Sequence, residues 1–147
     1  MADTPNSRWN LLVEVVERSL DDRTRMLALV VRRREEAARK LQTLVDYRGT
    51  YRDQRQVAAR DGITADRLRN HQSFATTLER AIEEQSDRLV ETQGAVAACE
   101  AEVAELQRKL HSYGVLRERE AALERTRDRR VEQGRDDEFA SRMRIAS

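Results

Sequence analysis

The fold is decided where residues 44–51 read LVDYRGTY, residues 61–62 read DG and residues 74–85 read FATTLERAIEEQ. The Asp-Gly pair is a turn signal. On both sides of it, apolar residues recur at alternating steps of three and four positions. This spacing places the apolar residues along one stripe of a helix. The sequence therefore predicts two helices that fold back on each other at this turn.

The apolar repeat of seven residues extends outward from the turn in both directions. Ten of the thirteen positions in the first series are apolar, and the other three are arginine. Eleven of the fourteen positions in the second series are apolar. We call these two series the seam, since residues in such a repeat face the partner helix of a coiled coil. The first series is Trp9, Val13, Val16, Leu20, Arg23, Leu27, Val30, Arg34, Ala37, Leu41, Leu44, Arg48 and Tyr51. The second is Leu68, His71, Ala75, Leu78, Ile82, Gln85, Leu89, Thr92, Val96, Cys99, Val103, Leu106, Leu110 and Tyr113.

These series predict an all-α fold: a long antiparallel two-helix coiled coil, or helical hairpin, with a C-terminal single-helix overhang. Thr4 and Thr64 carry the hydroxyl groups that N-cap positions favour. The apolar repeat ends near Tyr113, so we expect the second helix to have no partner beyond it. The predicted boundaries within a single domain, 1–147, are helix 1 over about 5–53, a turn over about 54–63 and helix 2 over about 65–140.

Polar residues in the seam predict how the two helices are aligned. An alignment that places Arg34 beside Gln85 and Arg48 beside His71 puts polar side chains together in two layers. Slipping either helix by seven residues sets these polar groups against apolar ones, which is unfavourable. We therefore expect the polar layers to select this alignment.

The composition argues against several classes of protein. Charged residues make up 37% of the chain and aromatic residues 4%, which favours a narrow seam over a fold with a deep pocket. The chain is therefore predicted not to be an enzyme. The net charge is +1 with both signs interspersed, which argues against nucleic-acid binding. We see no metal-ligand motif and predict no cofactor. No signal peptide or membrane-spanning apolar run is visible.

A group of residues on either side of the turn is the candidate recognition surface. Tyr47 and Phe74 each lie one position off the seam, so their rings are expected to be partly exposed. Exposed aromatic residues are typical of surfaces that bind protein partners. The alternative is that these rings only widen the helix interface near the turn. We call the group the tip patch: Leu44, Tyr47, Tyr51, Phe74, Leu78, Ala81 and Gln85.

Motifs near the turn and near the C-terminus resemble those of the flagellar export protein FliJ family, and with the chain length the resemblance covers the whole chain. Lys40 stands where some relatives carry glutamine, and Gln85 where some carry histidine. The motifs are Leu44-x-x-Tyr47-x-x-x-Tyr51, Gly62-Ile63, Arg67, Asn70-x-Gln72-x-Phe74-x-x-x-Leu78-Glu79-x-Ala81-Ile82-Glu83, Arg130-x-x-Gln133 and Asp137-Glu138-Phe139-Ala140.

The resemblance implies a component of the bacterial flagellar type III export apparatus, located in the cytoplasm and peripheral to the inner membrane at the flagellar base. FliJ-like proteins are antiparallel coiled coils that resemble the stalk subunit of rotary ATPases. The resemblance implies that their helical ends insert into the ring of the export ATPase FliI and promote its assembly. It also implies that the surface near the turn contacts the export gate protein FlhA, and that some members bind export chaperones.

The resemblance also implies where these partners bind. By position, the contact with the gate protein FlhA is the tip patch. The contact with FliI is the C-terminal overhang together with the first residues of helix 1. The apolar contacts implied on the overhang are Leu116, Leu123, Val131, Phe139 and Met143.

Three other functions remain open at the level of sequence. The chain could be a self-associating structural coiled coil without a dedicated partner. It could be a module that binds export substrates or chaperones. It could also be the equivalent stalk protein of a virulence type III secretion system.

Overall fold

The computed structural model consists of two long helices that pack against each other. Helix α1 spans Pro5–Arg60 and helix α2 spans Ala65–Ala146. The structure describes the backbone of residues 5–146 and the side chains of residues 8–146. Within residues 5–146 there is no strand. The predicted all-α helical hairpin is confirmed.

The buried residues lie where the seven-residue repeat places them. Of the predicted seam positions, only Arg23 and Leu68 are exposed. Every buried side chain in residues 8–146 is a seam residue, so the hydrophobic stabilisation of the fold comes from one narrow line of contacts. These residues are Val13, Val16, Val30, Ala37, Leu78, Ile82, Gln85 and Val96.

The turn between the helices is shorter than predicted. Gly62 has a φ of 90°, which favours a residue without a Cβ atom. The hydroxyl of Thr64 accepts a hydrogen bond of 3.3 Å from the backbone N–H of Arg67, so Thr64 caps α2. Helix α1, predicted to end near residue 53, continues to Arg60. Residues 54–60 lose the apolar repeat, but most of them are good helix formers, and helix formation does not require the repeat.

The polar seam residues have other partners than those predicted. The side-chain amide of Gln85 donates to the carbonyl of Ala37 rather than meeting Arg34. His71 contacts the hydroxyl of Tyr51, whereas Arg48 forms an ion pair with Glu79. Side chains on a helix lean toward its N-terminus, so a long side chain reaches a group that is displaced from its own level. The repeat alone does not specify that reach.

The chain divides into two compact units, which we describe separately. One unit contains Arg23–Glu102, and with it the turn and the tip patch. The other contains the described residues up to Asp22 together with those from Val103 onward. The prediction of a single domain stays a prediction.

In the unit that contains the N-terminal part of α1 and the C-terminal part of α2, α1 contacts a longer stretch of α2 than predicted. Trp9 packs on Tyr113 with ring centroids 6.1 Å apart. Beyond Tyr113, Arg117 donates a hydrogen bond of 3.2 Å to the side-chain oxygen of Asn10. The last partly buried residue of α2 is Glu124, and each side chain from 125 to 146 is exposed. The overhang therefore begins near residue 125, not at Tyr113.

Helix α2 also continues further than predicted at its C-terminal end. The prediction ended it near residue 140, but it runs to Ala146. An ion pair of 3.3 Å between Arg142 and Glu138, one turn apart, supports this last segment. The predicted N-cap Thr4 lies outside the described residues. No helix within residues 5–146 is long and apolar enough to span a membrane.

Candidate functional site

Three aromatic rings of the tip patch come together beside the turn. Tyr47 and Phe74 meet edge to face with ring centroids 6.0 Å apart, and Phe74 lies 4.7 Å from Tyr51. Nevertheless, Tyr47 remains 50% exposed and Phe74 39% exposed. Both residues lie one position before a seam residue, so the packing of the two helices leaves their outer edges in solvent. The predicted partly exposed aromatic pair is thus present in the structure.

A hydrogen bond holds Tyr51 in place within this group. Its hydroxyl lies 2.5 Å from Nδ1 of His71 and donates to the backbone carbonyl of His71 at 3.3 Å. The two rings are also in contact, with centroids 5.6 Å apart. Because Tyr51 is held from one side, it presents a fixed face on which Phe74 packs. Sequence reasoning placed His71 in the seam but missed this role.

Two predicted members of the tip patch are inside the helix interface. Leu78 is 6% exposed and Gln85 is 8% exposed. The amide of Gln85 is 3.1 Å from the carbonyl oxygen of Ala37 on the other helix. These side chains hold the two helices together and offer almost no surface to a partner. The accessible part of the patch is Tyr47 and Phe74, with half-buried Leu44, Tyr51 and Ala81 around them.

An open groove between the helices continues from this accessible surface. It has a volume of about 450 Å³. Leu44 and Gln85 form part of its wall, and Glu36, Arg39 and Lys40 provide charged groups. The groove thus extends the apolar surface that begins at Leu44, and three charged side chains line it. This combination is the usual composition of a protein-binding surface, with an apolar centre and a polar rim.

The five apolar residues predicted to contact an ATPase ring are all exposed in the structure. Leu116 and Leu123 lie beside Arg8 and Trp9 of α1 and share with them a pocket of about 350 Å³. Val131, Phe139 and Met143 lie on the fully exposed part of α2. The structure therefore separates the five into two beside the end of α1 and three on the overhang.

Comparisons with known proteins point to one family. A family model described as "Flagellar FliJ protein" matches residues 6–147. A curated protein of Salmonella typhi named "Flagellar FliJ protein" is 30% identical over 131 residues, which cover 89% of each chain. A protein of the same name from Escherichia coli (strain K12) is also 30% identical over 131 residues, again 89% of each chain.

Proposed function

The chain belongs to the FliJ family of flagellar proteins, and from this premise we propose that it is the stalk-like component that links the export ATPase FliI to the export gate protein FlhA. Family membership makes it a component of the flagellar type III protein export apparatus. In the proposed role it promotes assembly of the FliI ring and thereby protein export. Its place would be the cytoplasmic side of the inner membrane at the flagellar base, held there by its partners, and export chaperones are further candidate partners.

The proposed contact with FlhA is the accessible part of the tip patch. The observation that supports it most directly is the exposure of Tyr47 and Phe74, although each ring already contacts another aromatic ring. Aromatic side chains held rigid before binding lose little entropy on binding and are frequent among the residues that dominate interface energies. Leu78 and Gln85, which are buried, would support this surface without contacting FlhA.

The proposed contact with FliI is the exposed end of α2. At 3.6 residues per turn, a spacing of eight residues rotates a side chain by about 80° around the helix axis. Leu123, Val131 and Phe139 follow each other at this spacing, and Met143 comes four residues later. Apolar residues distributed around a helix fit a partner that surrounds it, as a ring does. A flat partner surface would instead favour one apolar stripe.

Two variants and their controls test the two contacts separately. The chain truncated after Arg127 loses only the exposed overhang, and it should lose stimulation of FliI ATPase activity and ring assembly while FlhA binding is unchanged. The Phe74→Ala variant should lose FlhA binding while its stimulation of FliI ATPase activity and ring assembly is unchanged. Val90→Ala is a matched control because Val90 is exposed and lies in neither surface.

Full-length Phe139→Ser with Met143→Ser should reproduce the effect of the truncation, which excludes an effect of chain length. Equal stimulation of FliI by the full-length and truncated chains would remove the overhang from the mechanism. Equal binding of FlhA by Phe74→Ala and the unchanged chain would remove the tip patch.

A further inference from the structure

Two arginines of α1 lie at the helix interface close to the turn. Arg48 is a seam residue, and Arg55 lies seven positions after it, beyond the end of the apolar series at Tyr51. Both side chains are half-buried. Opposite them, α2 has the small residue Ala75, and a cavity of about 340 Å³ is left between the helices. We call this cavity the arginine cleft; Arg48, Arg52, Arg55, Ala75, Leu78 and Glu79 are among its lining residues.

The charges in the arginine cleft do not balance. Nη1 of Arg48 lies 3.3 and 3.2 Å from the two carboxylate oxygens of Glu79. Nη2 of Arg52 lies 3.4 Å from Oε1 of the same carboxylate. No ion pair joins Arg55 to a carboxylate among residues 8–146. Two guanidinium groups therefore share the carboxylate of Glu79 and the third has no ion-pair partner, so the residues that line the cleft carry three positive charges and one negative charge.

The cleft shares Tyr51 with the tip patch, but it lies on the other side of the helix pair from Tyr47 and Phe74. Arg52 and Glu79 each directly follow a seam residue, whereas Tyr47 and Phe74 each directly precede one. In a coiled coil these two classes of position flank the seam on opposite sides. The cleft therefore opens on the side of the helix pair away from the aromatic pair. A ligand in the cleft need not compete with a partner on the tip patch.

We infer that the arginine cleft binds an acidic side chain of a protein partner. Guanidinium groups bind carboxylates through two parallel hydrogen bonds, which matches a glutamate or aspartate. Half-buried Ala75 and Tyr51 line the cleft with apolar surface on which the methylene groups of that side chain can pack. The volume is near the lower end of ligand pockets, as suits one side chain. The interspersed charges elsewhere on the chain do not form the basic stripe that a nucleic acid would need.

Glu79 has a specific role in this inference, because its carboxylate occupies two of the arginines before any ligand arrives. The incoming carboxylate either joins Arg55 or displaces Glu79. Removing the charge of Glu79 should therefore strengthen binding, while removing the charge of Arg55 should weaken it. A diffuse charge effect would give the same two directions, so the comparison of Arg55→Gln with the same substitution at an arginine outside the cleft distinguishes a site from it.

The test measures fluorescence anisotropy of a labelled oligoglutamate peptide with the full chain at low ionic strength. Arg55→Gln should weaken binding roughly tenfold, as expected for one charge-assisted hydrogen-bonded pair. Glu79→Gln should tighten it several-fold. Arg18→Gln, which removes the same charge from an exposed position on the other unit, should leave the affinity unchanged. Tyr47→Ala, which changes the tip patch at a residue that does not line the cleft, should also leave it unchanged, so the result does not depend on the proposed contact with FlhA.

Three outcomes would overturn the inference. One is an equal loss of affinity in Arg55→Gln and Arg18→Gln, which would indicate only the general charge of the surface. Another is unchanged or weaker binding by Glu79→Gln while its circular dichroism matches that of the original chain. The third is displacement of the peptide by inorganic phosphate at equal charge concentration, which would make the cleft a small-anion site.

Discussion

The sharpest prediction compares Phe74 and Leu78, two predicted site residues that lie one helical turn apart on α2. Leu78 is 6% exposed, so Leu78→Ala removes almost a whole buried side chain from the seam. Such changes cost about 2–5 kcal/mol. A seam between only two helices can relax at its open sides, so we expect the lower end, about 2–3 kcal/mol. With ~2–4 °C per kcal/mol, the melting temperature should fall by about 4–12 °C.

Phe74→Ala should reduce the affinity for FlhA more than it reduces the stability of the fold. The ring loses its contacts with Tyr51 at 4.7 Å and Tyr47 at 6.0 Å. Alanine recovers about 0.5 kcal/mol through its higher helix propensity. Since 39% of Phe74 is already exposed, the net loss of stability should be about 1–2 kcal/mol. The loss of affinity for FlhA should be larger, about 30-fold, as expected when a central aromatic residue worth ~2 kcal/mol is removed.

The assay combines thermal unfolding by circular dichroism with titration calorimetry against the soluble part of FlhA at a temperature where both variants are folded. Leu78→Ala should then bind within about threefold of the original chain, because its contribution is to helix packing. The reasoning is refuted if folded Leu78→Ala loses as much affinity as Phe74→Ala. That result would mean that FlhA recognises the spacing of the helices and not the exposed rings.

Other predictions concern stability alone. Gln85→Leu should raise the free energy of unfolding by about 0.5–1 kcal/mol, since leucine burial outweighs one hydrogen bond to Ala37. The urea midpoint should rise accordingly, and a lower midpoint would contradict this. Gly94→Ala should stabilise the chain by about 1 kcal/mol in the same measurement, because a Cβ there has no neighbour within 4 Å. Gly62→Ala should instead lower the stability by about 1–2 kcal/mol, since its φ is 90°. Equal effects of Gly94→Ala and Gly62→Ala would contradict the positive φ at Gly62. Amide hydrogen exchange should be fast over residues 128–146 and slow over residues 27–45, and equal protection would mean that the overhang is covered in solution.

The sequence by itself determined the helices, the seam and the position of the turn. A seven-residue apolar repeat selects one stripe of a helix, and only burial against a second helix removes that stripe from water. Every buried side chain among residues 8–146 accordingly lies at a position that the repeat predicts. Asp61-Gly62 marked the turn because glycine adopts a positive φ, such as the 90° of Gly62, more readily than other residues do. The partly exposed positions of Tyr47 and Phe74 also followed from the repeat.

Only the tertiary structure decided which partners the polar seam residues have and which patch residues remain accessible. Periodicity assigns a residue to the seam, but not the group that a flexible side chain reaches; Gln85 reaches a backbone carbonyl, and Arg48 reaches Glu79 across the helix pair. It also does not give the length over which one helix covers the other. The contact of Asn10 with Arg117 extends that cover past Tyr113 although the apolar repeat has ended, because hydrogen bonds and ion pairs between helices need no apolar pattern.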